Sequence, residues 1–370
     1  MNTTILSVED VRTVIRHVGL DALMDETIDG IVDACREFDH NKFEVPIRQG
    51  FDYTVPETGL LEWMPAMRIG GHATLKVVGY HPTNPGKREL PTILSVAMTF
   101  DTESGHLICL LDGTFPTAIR TGAASAVASR VLASKESKIL GLIGAGAQAV
   151  AQLHAISRVF ELDEVLVFDT NTETSKTFAR RTAFMNETGV AIKACAKEEL
   201  VSRSDIICTS TSVAVGEGPV FDDSGLNSWV HINAVGSDFP GKTEVPLSVL
   251  RRSLVCPDFS GQAVKEGECQ QLSGSEIGPD LVAIVNDVKT YSRFRNKPTV
   301  FDSTGWALED HVVVDILIRR ARELGCGSEI SVESISVDPM NPYEFTLGES
   351  SRGDMVGDKV LAKPRLSVLP

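Results

Sequence analysis

The feature that most constrains this chain is Gly144-Ala145-Gly146-Ala147-Gln148-Ala149, a glycine turn set between an apolar run and a helix-forming segment. The run before it, Lys138-Ile139-Leu140-Gly141-Leu142-Ile143, reads as a buried strand. In a strand–turn–helix of this kind Gly144 permits the tight turn and Gly146 lets a pyrophosphate reach the backbone. The helix N-terminus beyond them stabilises negative charge. Alone the turn is weak, because glycines also serve merely to join a strand to a helix. A second strand, 164–169, ends on Asp169, about 20 residues further on, where a carboxylate accepts hydrogen bonds from an adenosine ribose. Thr170 and Asn171 follow, with no adjacent arginine to welcome a 2′-phosphate, so the pattern favours NAD over NADP.

Around this turn the chain alternates strand and helix. Residues 192–194, 205–209, 230–234 and 254–256 read as further short strands, the rhythm of a doubly wound parallel sheet. Upstream the pattern differs. Residues 1–45 read as helices, the first opened by Ser7 with an acidic first turn. Residues 46–112 read as short strands, with a hairpin at 101–105 and a loop at Pro82, Pro85 and Gly86. A helix over 117–134 is rich in small residues, which lets a neighbouring backbone or a cofactor come close. A last helix, about 306–325, carries the chain back toward its first part. A length of 370 residues favours two domains. We therefore expect an α/β fold: a substrate-binding and dimerisation domain of α+β type over 1–130, completed by about 306–345, and a dinucleotide-binding domain over 131–305. Beyond Val337 the composition turns to Pro, Gly and charge, and residues 346–370 read as an extended or disordered tail.

Composition narrows the function classes. Thirty-five basic against fifty acidic residues leave a net charge of −15, and no basic stripe relieves it, which argues against nucleic acid and anionic membranes as partners. No stretch approaches the roughly 18 apolar residues of a membrane span, and Met1–Leu20 lacks the apolar core of a signal peptide. The seven cysteines form no C-x-x-C pair, and several lie in apolar runs. That is the pattern of buried thiols in a reducing compartment, so a cytoplasmic protein without a metal site is expected.

Individual polar residues carry less. Lys76, amid Leu75, Val77 and Val78, reads first as an edge-strand lysine facing water. Arg120 reads equally well as a solvated arginine, Glu62 as a rim carboxylate, and Arg48 has no local signal. Asp238 stands out, because it follows Ile232-Asn233-Ala234-Val235-Gly236-Ser237, the carboxyl end of a parallel strand, where open α/β sheets place ligands. His231 in the same strand reads as a core histidine.

Taken together, several stretches resemble the ornithine cyclodeaminase/mu-crystallin family from about residue 5 to 345. They are Glu62-Trp63-Met64-Pro65, Leu75-Lys76-Val77-Val78-Gly79-Tyr80-His81-Pro82, Ala118-Ile119-Arg120-Thr121, Ile143-Gly144-Ala145-Gly146-Ala147-Gln148 and Asn233-Ala234-Val235-Gly236-Ser237-Asp238. Gly267-Glu268-Cys269-Gln270-Gln271-Leu272 and Phe301-Asp302-Ser303-Thr304-Gly305 extend the match. Within the family the chain is most similar to the lysine cyclodeaminases, through Glu62-Trp63, Asn84-Pro85-Gly86 and the run 209–216, with the ornithine cyclodeaminases next. Phe239-Pro240 is more like the ornithine enzymes, so both substrates stay open.

The resemblance implies a Rossmann-type NAD-binding domain. It implies that Arg48, Lys76 and Arg120, with Thr304, hold a substrate carboxylate, and that Glu62 and Asp238 handle its amino groups. It further implies that Thr92, Arg120, Thr121, Gly144, Gly146, Ala147, Gln148, Asp169, Thr211, Val235, Gly236, Lys242 and Ser303 line the NAD site, and that two chains pair through the strands of 46–112. The implied activity is conversion of an L-diamino acid to a cyclic imino acid with loss of ammonia. Two rivals share the fold: an imine reductase or amino acid dehydrogenase with net turnover of NAD(P)H, and a non-catalytic binding protein.

Overall fold

The computed structural model describes residues 1–346. The tail expected from 346 onward lies, but for its first residue, outside the described residues. The chain begins with a strand rather than a helix: β1 (Thr3–Leu6) precedes the helices Val8–Val18 and Leu20–Glu37. Ser7 starts the first of these with a capping box. Its hydroxyl accepts from the Asp10 N–H, and the Asp10 carboxylate accepts from the Ser7 N–H at 2.8 Å.

Next come β2 (Phe43–Glu44), β3 (Gln49–Tyr53), β4 (Gly59–Arg68), β5 (His72–Tyr80), β6 (Ile93–Asp101) and β7 (Leu107–Asp112). The expected loop at Pro82–Gly86 contains instead one helical turn, Asn84–Arg88, with Pro85 at its start. The small-residue helix, Thr114–Leu132, leads to β8 (Ile139–Ile143) and the helix Ala147–Ser157. After it follow β9 (Glu164–Phe168), β10 (Ala191–Ala194), β11 (Ile206–Thr209), β12 (His231–Ala234), β13 (Leu254–Pro257) and β14 (Thr299–Asp302). The last long helix, Ala307–Leu324, ends at Gly325, and β15 (Ser328–Ile330) returns to pair with β1.

Two sheets result. The first runs β15-β1-β7-β6-β5-β4-β2, with β3 on the far side of β4. The second is wholly parallel, in the order β10-β9-β8-β11-β12-β14-β13. From β8 the chain winds outward through β9 and β10, then starts again on the other side with β11. The switch point therefore lies between β8 and β11, where such sheets bind ligands at the strands' carboxyl ends. β14, absent from the sequence reading, inserts between β12 and β13.

The small-residue helix lies at the junction of the two sheets. Gly122 comes so near the helix Ala147–Ser157 that an added Cβ would stand 2.5 Å from the Ala151 carbonyl. Around it pack Met24, Ile28, Ile31, Leu281, Phe301 and Trp306, all buried. This core fixes the inner face of the first sheet over the carboxyl ends of the second. No helix among the described residues is long and apolar enough to cross a membrane.

Candidate active site

Between the sheets lies a cavity of about 730 Å³. All eighteen residues singled out for the site line it, from Arg48 and Glu62 at one end to Asp169 at the other.

The second sheet builds the larger half. Gly144 has φ +88° and donates its N–H to the Phe168 carbonyl at 2.9 Å. A Cβ there would stand 2.7 Å from the Ser210 carbonyl, so the turn needs glycine both for its conformation and for room. Gly146 differs: an added Cβ would meet no protein atom within 4 Å. It is the N-cap of the helix Ala147–Ser157, whose first turn has no side-chain cap and no acidic residue. A helix N-terminus that is left uncapped beside an open space fits a pyrophosphate. Asp169 accepts from the N–H groups of Ala145 and Asn171, each at 2.8 Å and each on a different oxygen. Each oxygen keeps a second acceptor site for a ribose hydroxyl. An arginine does lie near, contrary to the local reading. Arg181 donates to the carbonyls of Ala145, at 2.6 Å, and Thr174, and lies close enough to Asp169 to feel its charge. Opposite, Thr211 and Gly236 are held by one carboxylate, Glu244, which accepts from their N–H groups at 2.6 and 2.8 Å.

The first sheet supplies the charged half. Lys76 is not at an edge: β5 pairs with both β4 and β6, and the lysine is 2% exposed. The pleat points His72, Thr74 and Lys76 to the same face of β5, toward the last long helix. Lys76 donates to Asp310 Oδ1 at 2.8 Å, and Arg120 Nε donates to the same oxygen at 3.1 Å. Arg120 Nη1 also donates to Glu309 at 3.0 Å. One carboxylate thus holds two cations side by side in the cavity wall. Gly305, with φ +94°, lies against the guanidinium, and a Cβ on it would stand 2.8 Å from both Nη atoms. Arg48 spans the gap between the halves, donating to the carbonyls of Thr304 at 2.8 Å and Asp238 at 3.0 Å. It pairs with Glu62 at 3.4 Å and with Glu266.

Burial sets the protonation of this cluster. Desolvation pulls Lys76 down to about 8, although Asp310 opposes it. Burial pushes Glu62 up against the pull of Arg48, and takes Glu266 and Glu309 to about 8. Lys242 Nζ donates to Asp238 at 2.9 Å and sits over the Tyr80 ring. Burial disfavours its charge, but Asp238, Tyr80 and Glu244 outweigh that and raise its pKa. His231 is satisfied in the core by Thr299 at 2.8 Å and Asn233 at 3.2 Å, and burial lowers it to about 4.

The acids behind the cavity were missed by sequence reasoning: Asp310, Glu309, Glu266, Glu244 and Asp258. Asp258 accepts from the Gly305 N–H and from the hydroxyls of Thr304 and Ser303. A lone acid in a sequence gives no sign that it will be buried under a loop. Glu309 and Asp310 alone carried a usable signal, since an acidic pair just before the apolar run Val312-Val313-Val314 can face a core only if cations meet it.

Fold and cavity together define a Rossmann-type dinucleotide-binding enzyme with a charged substrate pocket. The chain belongs to the ornithine cyclodeaminase/mu-crystallin family, whose sequence profile matches residues 8–324. An L-lysine cyclodeaminase of Streptomyces rapamycinicus is 38% identical over 346 residues, spanning 93% of this chain and 100% of its own. An alanine dehydrogenase of Archaeoglobus fulgidus is 33% identical, over 89% of this chain and 98% of its own. The solved structure of a lysine cyclodeaminase, concerned with recognition of L-lysine, L-ornithine and L-2,4-diaminobutyric acid, matches with a TM-score of 0.90 at 44% identity, covering 93% of this chain and 100% of that one.

Proposed function

We propose that this chain is an NAD-dependent cyclodeaminase that turns an L-diamino acid into a cyclic imino acid and releases ammonia, with L-lysine giving L-pipecolate and L-ornithine giving L-proline. The observation that carries this reading is the meeting, at one end of a dinucleotide-sized cavity, of three buried cations with two separate carboxylates. A one-amine substrate needs the cations and one acid. A diamino substrate has a second amine to place, and Glu62 and Asp238 give it a partner.

Bound NAD would lie along Gly144, Gly146, Asp169, Thr211 and Gly236, and would supply a hydride acceptor that returns the hydride within the turnover. The chain's own residues do the rest. Arg48, Lys76 and Arg120 hold the substrate carboxylate and so fix its Cα–H in one place. Asp238 accepts a proton from the α-ammonium, and loss of hydride from the Cα of the resulting amine leaves an iminium. The terminal amine then attacks that carbon and ammonia leaves. Glu62, whose pKa burial raises, is placed to hold and return a proton as the amines exchange.

On this reading the two sheets are a substrate-binding unit and an NAD-binding unit, parted near residues 130 and 305. The chain acts as a cytoplasmic homodimer. Seven unpaired cysteines fit a reducing compartment, and the outer face of the first sheet exposes Phe51, Leu61, Leu94 and Val96 in one patch. The similarity to an alanine dehydrogenase favours a second reading, net oxidation of an amino acid. Incubation with L-lysine and L-ornithine separately, with products identified by mass, tests the choice. A saturated cyclic imino acid one ammonia lighter than its substrate is expected; a cyclic imine two hydrogens lighter still, formed when the oxo acid closes on its own terminal amine and accompanied by an equal amount of NADH, would establish the dehydrogenase instead.

A further inference from the structure

Along β5 and the last long helix three pairs of side chains meet in order: Lys76 with Asp310, Thr74 with His311, and His72 with Asp315. The first belongs to the site described above. The other two converge on one point. The nitrogen and oxygen atoms that His72, His311 and Asp315 offer lie within 4.8 Å of one another. Asp315 divides its carboxylate between the two rings, with Oδ1 at 2.7 Å from His72 Nε2 and Oδ2 at 3.7 Å from His311 Nε2.

We propose that His72, His311 and Asp315 bind a divalent transition-metal cation of the zinc class, which ties β5 to the last long helix. Two imidazoles and a carboxylate are a ligand set for zinc rather than for magnesium or calcium, which take oxygen donors. Bonds of about 2.0–2.1 Å at a tetrahedral centre put ligand atoms roughly 3.3 Å apart, so a cluster whose atoms lie within 4.8 Å closes on a cation by rotation of the part-exposed His72 and Asp315 side chains. His311 is oriented for the task. Its Nδ1 is engaged by the buried Thr74 hydroxyl at 2.8 Å, which presents Nε2 to the cluster, as outer partners of metal-bound histidines do. His72 and Asp315 are part-exposed, with side chains 29% and 39% accessible, so a cation can enter and a water can complete the shell. Sequence spacing hides the set, because 243 residues separate His72 from Asp315.

The untagged full chain, saturated with NAD, is stripped with chelator and dialysed against Zn²⁺, then against metal-free buffer, and its metal content is measured. About one Zn²⁺ per chain is expected, with a raised Tm, and Co²⁺ in its place should give the visible spectrum of a tetrahedral site. His72→Gln and Asp315→Asn, both at part-exposed positions, should each lose the bound equivalent while retaining the metal-free Tm and NAD binding. Retention of less than a tenth of an equivalent by the unmodified chain would overturn the proposal. So would equal retention by the His72→Gln, Asp315→Asn double variant.

Discussion

Burial works against the charge of Lys76, and that makes the residue sensitive to pH just above neutrality. Its folded pKa of about 8 lies below the 10.5 of an exposed lysine. In the window between these values the unfolded chain binds more protons than the folded one, so stability rises with pH from about 8 to about 10.5. The clamp behaves oppositely, because the cation that holds a carboxylate is lost as pH climbs through about 8. We expect kcat/KM to fall on the alkaline side near that value, and Lys76→Arg to move this limb upward. An alkaline limb that is the same in both would show that the substrate's own amines set it. Asp238 calls for a different test. Asp238→Asn should lose about 10²–10⁴-fold in kcat, the scale of a general base, with NAD affinity unchanged. Ammonia release near the wild-type rate would remove Asp238 from the chemistry and shift the role to Glu62. At this scale the sequence was uneven. Asp238 could be read from its place after a strand, whereas Lys76 and Arg120 looked like surface cations, because the acid that makes their burial tolerable stands 234 and 190 residues away.

The glycine turn after β8 shows how one element divides its duties. Gly144 serves the fold and Gly146 serves the ligand, and alanine at each position should separate the two. Gly144→Ala places a side chain at φ +88° against the Ser210 carbonyl, and should lower stability by about 1–3 kcal/mol, read by denaturant unfolding. Gly146→Ala meets no protein atom and should leave stability within about 0.5 kcal/mol, while weakening NAD binding at least tenfold in a fluorescence titration. If both variants lost stability and neither lost NAD, the cradle would lie elsewhere. The strand–turn–helix was legible because its signals are local: an apolar run, two glycines and an acid at the end of the next strand. β1, β14 and β15 were not. Each is three or four residues long, and each is defined by partners far along the chain, β1 by β7 and β15, and β14 by β12 and β13.

For the whole molecule, the alternation of strands and helices was enough to foresee a doubly wound sheet joined to a strand-rich unit. What composition could not show is how the first sheet spends its two faces. The inner face carries Glu62, Lys76 and Tyr80 to the cavity, and the outer face is left with exposed Phe51, Leu61, Leu94 and Val96. A patch of that kind on an antiparallel sheet calls for a second copy, so light scattering at micromolar concentration should return twice the 40.0 kDa chain mass. Leu94→Lys with Val96→Glu should move it toward one. A monomer in the unmodified protein would leave the patch to another partner. The central claim, that the hydride taken from the substrate is given back in the same turnover, is tested most directly by counting. With L-lysine or L-ornithine in excess and NAD limiting, ammonia should exceed NAD by a hundredfold or more while no reduced nicotinamide accumulates. Ammonia that stops at one equivalent per NAD, with an equal amount of NADH formed, would contradict it.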